Sequence, residues 1–329
     1  MIKSFFKLVL LLLLAFSGWM AWFATTPLEL PQTPYEFTLK HGSSLRSVSR
    51  QLASVGVLAE PWSFTALVRL HGKASEVKAG NYLLDKNPTP MQLLRMITSG
   101  DVSMSEIAFI EGWTFRRMRQ TLDKNEAVRH DSLSLSDQEI MEKIGAEERS
   151  PEGLFFPDTY NFSSGMSDLA ILKRSYREMK TRLSEAWEDR TPLLPYQSSY
   201  EALVMASIVE KETGRASERP QIAGVFINRL RLNMKLQTDP TVIYGMGESY
   251  DGNIRKQDLL ADTPYNTYTR YGLPPTPIAM PGLAAIQAAL HPASTRDLYF
   301  VGKGDGSHKF SATLEEHNQA VVRYQLNRK

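Results

Sequence analysis

The sequence contains no cysteine. That absence excludes disulfides, thiolate nucleophiles, cysteine-based zinc sites and lipidation at a cysteine. An excess of one charge is also missing: 38 Lys and Arg against 36 Asp and Glu leave a net charge of +2. So even a balance offers no electrostatic case for a nucleic-acid partner, and it is compatible with a neutral polymer such as a glycan. The six histidines include no paired ligand spacing of the HExxH kind, so no metal is expected. The glycine-rich stretch "GKGDGSHKF" lacks the spacing of a phosphate-binding loop and reads as a hairpin turn, and no cofactor is expected.

What the sequence does have is one long apolar run. Lys3 and Lys7 precede an uncharged stretch from Leu8 to Thr26. As a helix rising about 1.5 Å per residue, this stretch spans roughly 28 Å, close to the thickness of a hydrocarbon core. Trp19 and Trp22 fall near its outer end, where indoles favour the membrane interface. The basic flank predicts a cytoplasmic N-terminus over 1–7, a transmembrane helix over 8–26 in the inner (cytoplasmic) membrane, and a remainder on the outer side. A cleaved signal peptide is the alternative, with Ala15-Phe16-Ser17 as its small-x-small site.

Three prolines make 27–34 a short, stiff linker. The alternation of Tyr35, Phe37 and Leu39 predicts a strand, Gly42 a turn, and Ser43 or Ser44 a cap for a helix carrying Leu45, Val48 and Leu52. A second helix over "WSFTALVRLHG" and a strand over 79–84 complete a strand–helix–helix–strand unit within 35–105. The pattern "HGSSLRSVSRQL" (41–52) returns as "EGWTFRRMRQTL" (111–122), either a duplication or a common local solution. Residues 106–149 read as a connecting subdomain, with one exposed helix over "SLSDQEIMEKIGAEERS". From about 150 the chain turns to aromatic loops between helices, expected at 167–188, 199–213, 218–233 and 281–290. Strands follow at 298–302 and 308–311, then a terminal helix at 313–327.

The stretch "ALVMASIVEKET" carries two carboxylates at the end of an apolar helix. On a helical wheel Glu212 lies roughly 50° from the mean apolar direction and Glu210 roughly 105° from it. A carboxyl held against apolar side chains has its charged form penalised and its pKa raised, which suits a general acid. The alternative is a pair of solvated residues bridging Lys211, Arg215 or Arg219. Two further segments have the look of binding loops. "RLRLNMKLQTDPTVIYGMG" (229–247) holds Gln237, Thr238 and Asp239, although Asp before Pro also starts turns. "TPYNTYTRYGLPPTPIAMPG" (263–282) sets Tyr265, Asn266 and Tyr268 among five prolines. Tyrosine faces and amides suit sugar rings, while a rigid surface loop is the plainer reading.

Two resemblances add to this. "FTLKHGSSLRSVSRQL" resembles a LysM module, a small βααβ fold that binds N-acetylglucosamine-containing polymers, although its helix-to-strand connection is longer than usual. The blocks "EGLFFPDTY", "MASIVEKET", "ERPQIAGVFINRLRLNMKLQTDPTVIYGMG", "YNTYTRYGLPPTPIAMPG" and "ALHPASTRDLYFV", in that order, resemble the YceG-like endolytic murein transglycosylases. The resemblance implies an α+β protein: a transmembrane helix, the LysM-like domain, and a mixed α/β catalytic domain over 150–329 built around the glutamate helix. It places the catalytic role on Glu212 in the E-K-E-T motif. It also implies a lyase that cuts the MurNAc–GlcNAc bond of peptidoglycan and leaves 1,6-anhydro ends, beside peptidoglycan synthases. Gln237, Asp239, Tyr265, Asn266, Tyr268, Glu218 and Glu152 are expected to bind the glycan. Asn228 and Arg229 are expected to hold their helix to its neighbours. A lysozyme-like hydrolase with Asp239 as second carboxylate and a non-catalytic wall-binding scaffold are the alternatives.

Overall fold

In a computed structural model, residues 2–33, 35–39, 44–78, 80–84, 86–99, 104–148, 150–163 and 165–326 are described. The expected turn at Gly42 and the alternative cap Ser43 lie outside them. The chain divides into two compact units. The first comprises Met1–Ile107 with Ala127–Arg129 and Asn161–Met166, and the second comprises the rest. Most of the stretch read from the sequence as a connecting subdomain therefore groups with the second unit.

In the first unit, α1 (Ile2–Thr25) contains a segment, Phe5–Thr25, long and apolar enough to cross a membrane. Its lower part is exposed, with Phe6 through Leu14 uncovered, but Met20 and Ala24 are buried in the core of the unit. Trp19 stacks on Trp62 with ring centroids 4.8 Å apart, while Trp22 is exposed. Strand β1 (Tyr35–Leu39), helices α2 (Leu45–Ser54) and α3 (Pro61–Leu70), and strand β2 (Gly80–Leu84) follow in the expected order. Ser44 caps α2 by accepting from the Ser47 N–H. The two strands pair antiparallel, with Phe37 opposite Tyr82 and their rings stacked. Helix α4 (Pro90–Ser99), not anticipated from the sequence, closes this core with Leu93, Leu94 and Ile97.

Further along lie β3 (Met104–Ala108), α5 (Phe115–Asp123), β4 (Val128–Arg129), α6 (Asp137–Ile144), β5 (Thr159–Ser163) and β6 (Met166–Ser167). The exposed helix expected over 134–150 is shorter and half-buried. A capping box at Ser136 starts α6, Gly145 ends it in the left-handed region at φ +75°, and Ile140, Met141 and Ile144 are buried.

The second unit is built on α7 (Asp168–Glu188), α8 (Ser199–Glu212), α9 (Arg219–Arg231), α10 (Asp239–Met246), α11 (Lys256–Leu260) and α12 (Leu283–Leu290). Hairpin β7 (Tyr299–Gly302) and β8 (His308–Ser311) comes next, then α13 (Leu314–Val321) with a final π turn. Helix α8 is central. Every residue from Ala202 to Val209 is buried, against α7, α9, α10 and α12. A helix apolar all round is a core helix, so its far end opens inside the unit. Gly153, at φ +77°, allows the 151–156 turn to meet the 263–282 loop, because a Cβ there would lie 2.3 Å from that of Pro277.

Candidate active site

Both α8 carboxylates are carried into the interior, and the wheel distinction between them does not survive a helix buried on all sides. Partners separate them instead. Glu210 accepts from Arg219 Nη2 at 3.0 Å and from the Gly282 N–H at 3.0 Å. Burial pushes its pKa up, and the Gly282 N–H and Arg219 oppose that push. It is a paired, hydrogen-bonded charge that ties α8 to α9 and to the start of α12.

Glu212 is the last residue of α8, because Thr213 is extended. No cation lies within ion-pair distance of it among the described residues. The hydrogen bond its carboxyl receives there comes from the Thr238 hydroxyl. Burial pushes its pKa up to about 7; the Thr238 bond opposes this, the nearby Asp239 charge adds to it, and His308 and Arg229 act against it. The direction is the one the sequence predicts. Part of the side chain remains open to a cavity of about 530 Å³.

Residues 236–239 build one wall of that cavity. Gln237 stands in the left-handed region at φ +52°, sparsely populated for a residue with a side chain. It is held there by its own N–H to the Thr267 carbonyl at 3.1 Å and by Arg229 Nη1 donating to Oε1 at 3.3 Å. Thr238 is anchored by its N–H to Thr267 Oγ1, which presents its hydroxyl to Glu212. Asp239 opens α10, with Pro240 in the first turn, and accepts from the Tyr268 hydroxyl at 2.5 Å. Turn starter and cavity residue are thus one role here. Arg229, 7% exposed, donates to the carbonyls of Leu298, Lys235 and Leu236 and lies over the Tyr299 ring. Asn228 donates to the carbonyls of Thr295 and Asp297.

A sequence model of the YceG-like family matches residues 37–323. The chain belongs to the YceG-like family. It is 32% identical over 315 residues to the endolytic murein transglycosylase of Bacillus subtilis, a match covering 89% of this chain and 85% of that one. It is 25% identical to the endolytic murein transglycosylase of Streptococcus pneumoniae strain D39, covering 87% of this chain but 57% of that longer protein. A crystal structure of a YceG-like protein from Listeria monocytogenes superimposes with a TM-score of 0.56 at 29% identity, over 87% of this chain and 98% of the other.

In this YceG-like chain, then, Glu212, Gln237, Asp239 and Tyr268 share one cavity. The other residues expected from the sequence go elsewhere. Asn266 is 1% exposed: its amide N–H groups donate to the carbonyls of Asp258, Leu259 and Ala261, and its Oδ1 accepts from the Tyr268 N–H. It holds the loop that presents Tyr268 and does not face the cavity. Glu218 sits behind the cavity wall, bound to His308. Tyr265 and Glu152 line a second cavity of about 480 Å³ with Tyr244, Arg116 and Glu248. There Glu152 accepts from the Phe115 N–H at 3.1 and 3.3 Å and from the Tyr244 hydroxyl at 3.1 Å, and burial pushes its pKa to about 7.

Sequence reasoning missed Tyr299, His308 and His317 as cavity residues of the YceG-like site. Tyr299 stacks on His317 at 5.2 Å. The available signal was the hairpin itself: two short aromatic strands flanking a glycine-rich turn, with ring side chains suited to sugars.

Proposed function

We propose that the chain is a peptidoglycan lytic transglycosylase with Glu212 as its acid. The observation that carries this reading is a carboxyl with a pKa raised to about 7 by burial, without an ion-pair partner among the described residues, at the mouth of a cavity with aromatic and amide walls. The two relatives named endolytic murein transglycosylase support the substrate.

The mechanism needs one carboxyl. Protonated Glu212 donates to the oxygen that links N-acetylmuramic acid to N-acetylglucosamine, and the C1–O bond breaks through an oxocarbenium-like state. The resulting carboxylate takes the proton of the muramic C6 hydroxyl as that oxygen bonds to C1. A 1,6-anhydro ring closes, no water is consumed, and Glu212 is protonated again. Thr238 holds the carboxyl in place. Tyr268 and Arg229 neutralise and brace the wall on which the sugar rests. Gln237 and Asp239 contact its hydroxyls.

The same reading assigns α1 to a single inner-membrane anchor with Lys3 and Lys7 on the cytoplasmic side and the catalytic unit outside. It assigns residues 35–105 to a LysM-like domain, 106–149 to a connecting subdomain and 150–329 to the catalytic domain. The role is trimming or terminating new glycan strands next to a peptidoglycan synthase. A hydrolase using Asp239 as second carboxylate is the competing reading, favoured by the presence of both carboxylates in one cavity. Mass spectrometry of released muropeptides decides between them: anhydro ends support the transglycosylase, and ends heavier by one water sink it.

A further inference from the structure

His308 opens β8 and lines the Glu212 cavity. Its ring is fixed from behind. Nδ1 lies 2.7 Å from Glu218 Oε2, and the His308 backbone N–H donates to Glu218 Oε1 at 3.1 Å. The two side chains are only 16% and 15% exposed. Burial pushes the Glu218 carboxyl up, but the bonds from His308 outweigh it and hold the pKa below the ordinary value. An ionised carboxylate can only accept, so Nδ1 carries a proton, and in the neutral ring this leaves the lone pair on Nε2. Phe300 meets the ring edge-on at 5.5 Å. The residue paired with His308 across the hairpin is Gly302, which has no side chain to cover it.

Sugars bring several N–H and O–H donors, and two acceptors on the wall already take one bond each, Asp239 Oδ1 from Tyr268 and Gln237 Oε1 from Arg229, so a further acceptor has donors to meet. We propose that His308 binds the glycan, its Nε2 accepting from a hydroxyl or acetamido N–H of the sugar seated against Glu212, and that Glu218 is the positioning residue that fixes this tautomer. The proposal rests on the transglycosylase reading and extends it to the hairpin.

The test uses the full chain in detergent micelles and uncrosslinked glycan strands from purified peptidoglycan. Wild type is compared with His308→Ala, His308→Gln and Glu218→Gln. In Glu218→Gln an oxygen remains for the backbone N–H, while an amide N–H turns towards Nδ1 and drives the ring proton to Nε2. KM rises about tenfold or more in His308→Ala and in Glu218→Gln, the scale of a buried polar group left unpaired. The kcat changes much less, because the bond is made equally before and during reaction. His308→Gln, with an amide oxygen near the Nε2 position, recovers part of the loss. Nitrogen-15 shifts of the imidazole report Nδ1–H in wild type and Nε2–H in Glu218→Gln. A hairpin brace alone predicts a lower Tm with KM and strand affinity unchanged, and that result overturns the proposal, as does a wild-type ring protonated on Nε2. Should wild type release no anhydro ends, the transglycosylase reading fails by itself; strand affinity of the same four proteins, read by fluorescence, still decides the role of His308.

Discussion

Helix α10 runs between two carboxyls, the half-buried Glu212 and the buried Glu152. Glu212 meets Thr238, the residue just before the helix, and Glu152 meets Tyr244 near its far end. Burial pushes both to about 7. Their surroundings differ in what is already spent. Both oxygens of Glu152 face the Phe115 N–H at the start of α5, and one of them also takes the Tyr244 hydroxyl. Among the described residues Glu212 receives one hydroxyl, and it opens onto its cavity. A raised pKa therefore marks burial and does not by itself mark chemistry. What separates a reacting acid from a structural one is unspent hydrogen-bonding capacity facing space large enough for a substrate.

The largest effect should break that contrast at Glu212. Glu212→Gln is expected to lower strand cleavage about a thousandfold, within the range of a lost general acid, with Tm at pH 8 equal to or above that of wild type. Glu210→Ala should do the reverse. Arg219, whose side chain is 10% exposed, would lose its closest carboxylate, and breaking a buried pair costs about 3 kcal/mol. Urea denaturation reads that loss, and an unchanged midpoint would contradict the pairing role.

The smaller effects sharpen the comparison. Glu152→Gln should cost about 1 kcal/mol at pH 5, the worth of a hydrogen bond imperfectly replaced, while cleavage stays near wild type; a cleavage loss like that of Glu212→Gln would merge the two cavities into one site. For pH, both folded-state pKa values lie above the ordinary 4.5. The stability these groups contribute is complete below about 4.5 and is lost as pH rises to about 7, since ionising them in place is penalised. Tm should therefore fall between pH 5 and pH 8, and each Gln variant should flatten the fall. Cleavage should decline above about pH 7 as Glu212 loses its proton. Thr238→Val removes a bond that lowers the Glu212 pKa, so its declining limb should move to higher pH; a limb moving down would place the hydroxyl elsewhere.

Much of the architecture was legible. The helices α7, α8, α9 and α12 lie within two residues of their expected spans, because the first three are long and α12 is bounded by Pro281-Gly282 and Pro292. Helix α10 was read as loop: eight residues containing Pro240 and Gly245 carry little local signal, and packing against α8 makes it a helix. At the site, Asn266 has the chemistry of a sugar ligand, but its amide is consumed by carbonyls five to eight residues earlier.

The sequence by itself determined that an apolar helix would carry Glu210 and Glu212 inward, that one long N-terminal helix could enter a bilayer, and that the chain resembles the family to which it belongs. These follow from local composition and spacing, which act within a few residues. Only the tertiary structure decided which carboxyl has no ion pair among the described residues and which side chains face it. Arg219 and Gly282 reach Glu210, Thr238 reaches Glu212, and Glu218 reaches His308 from positions 9 to 90 residues away. Hydrogen bonds depend on distance in space, and that distance is set by how the helices pack.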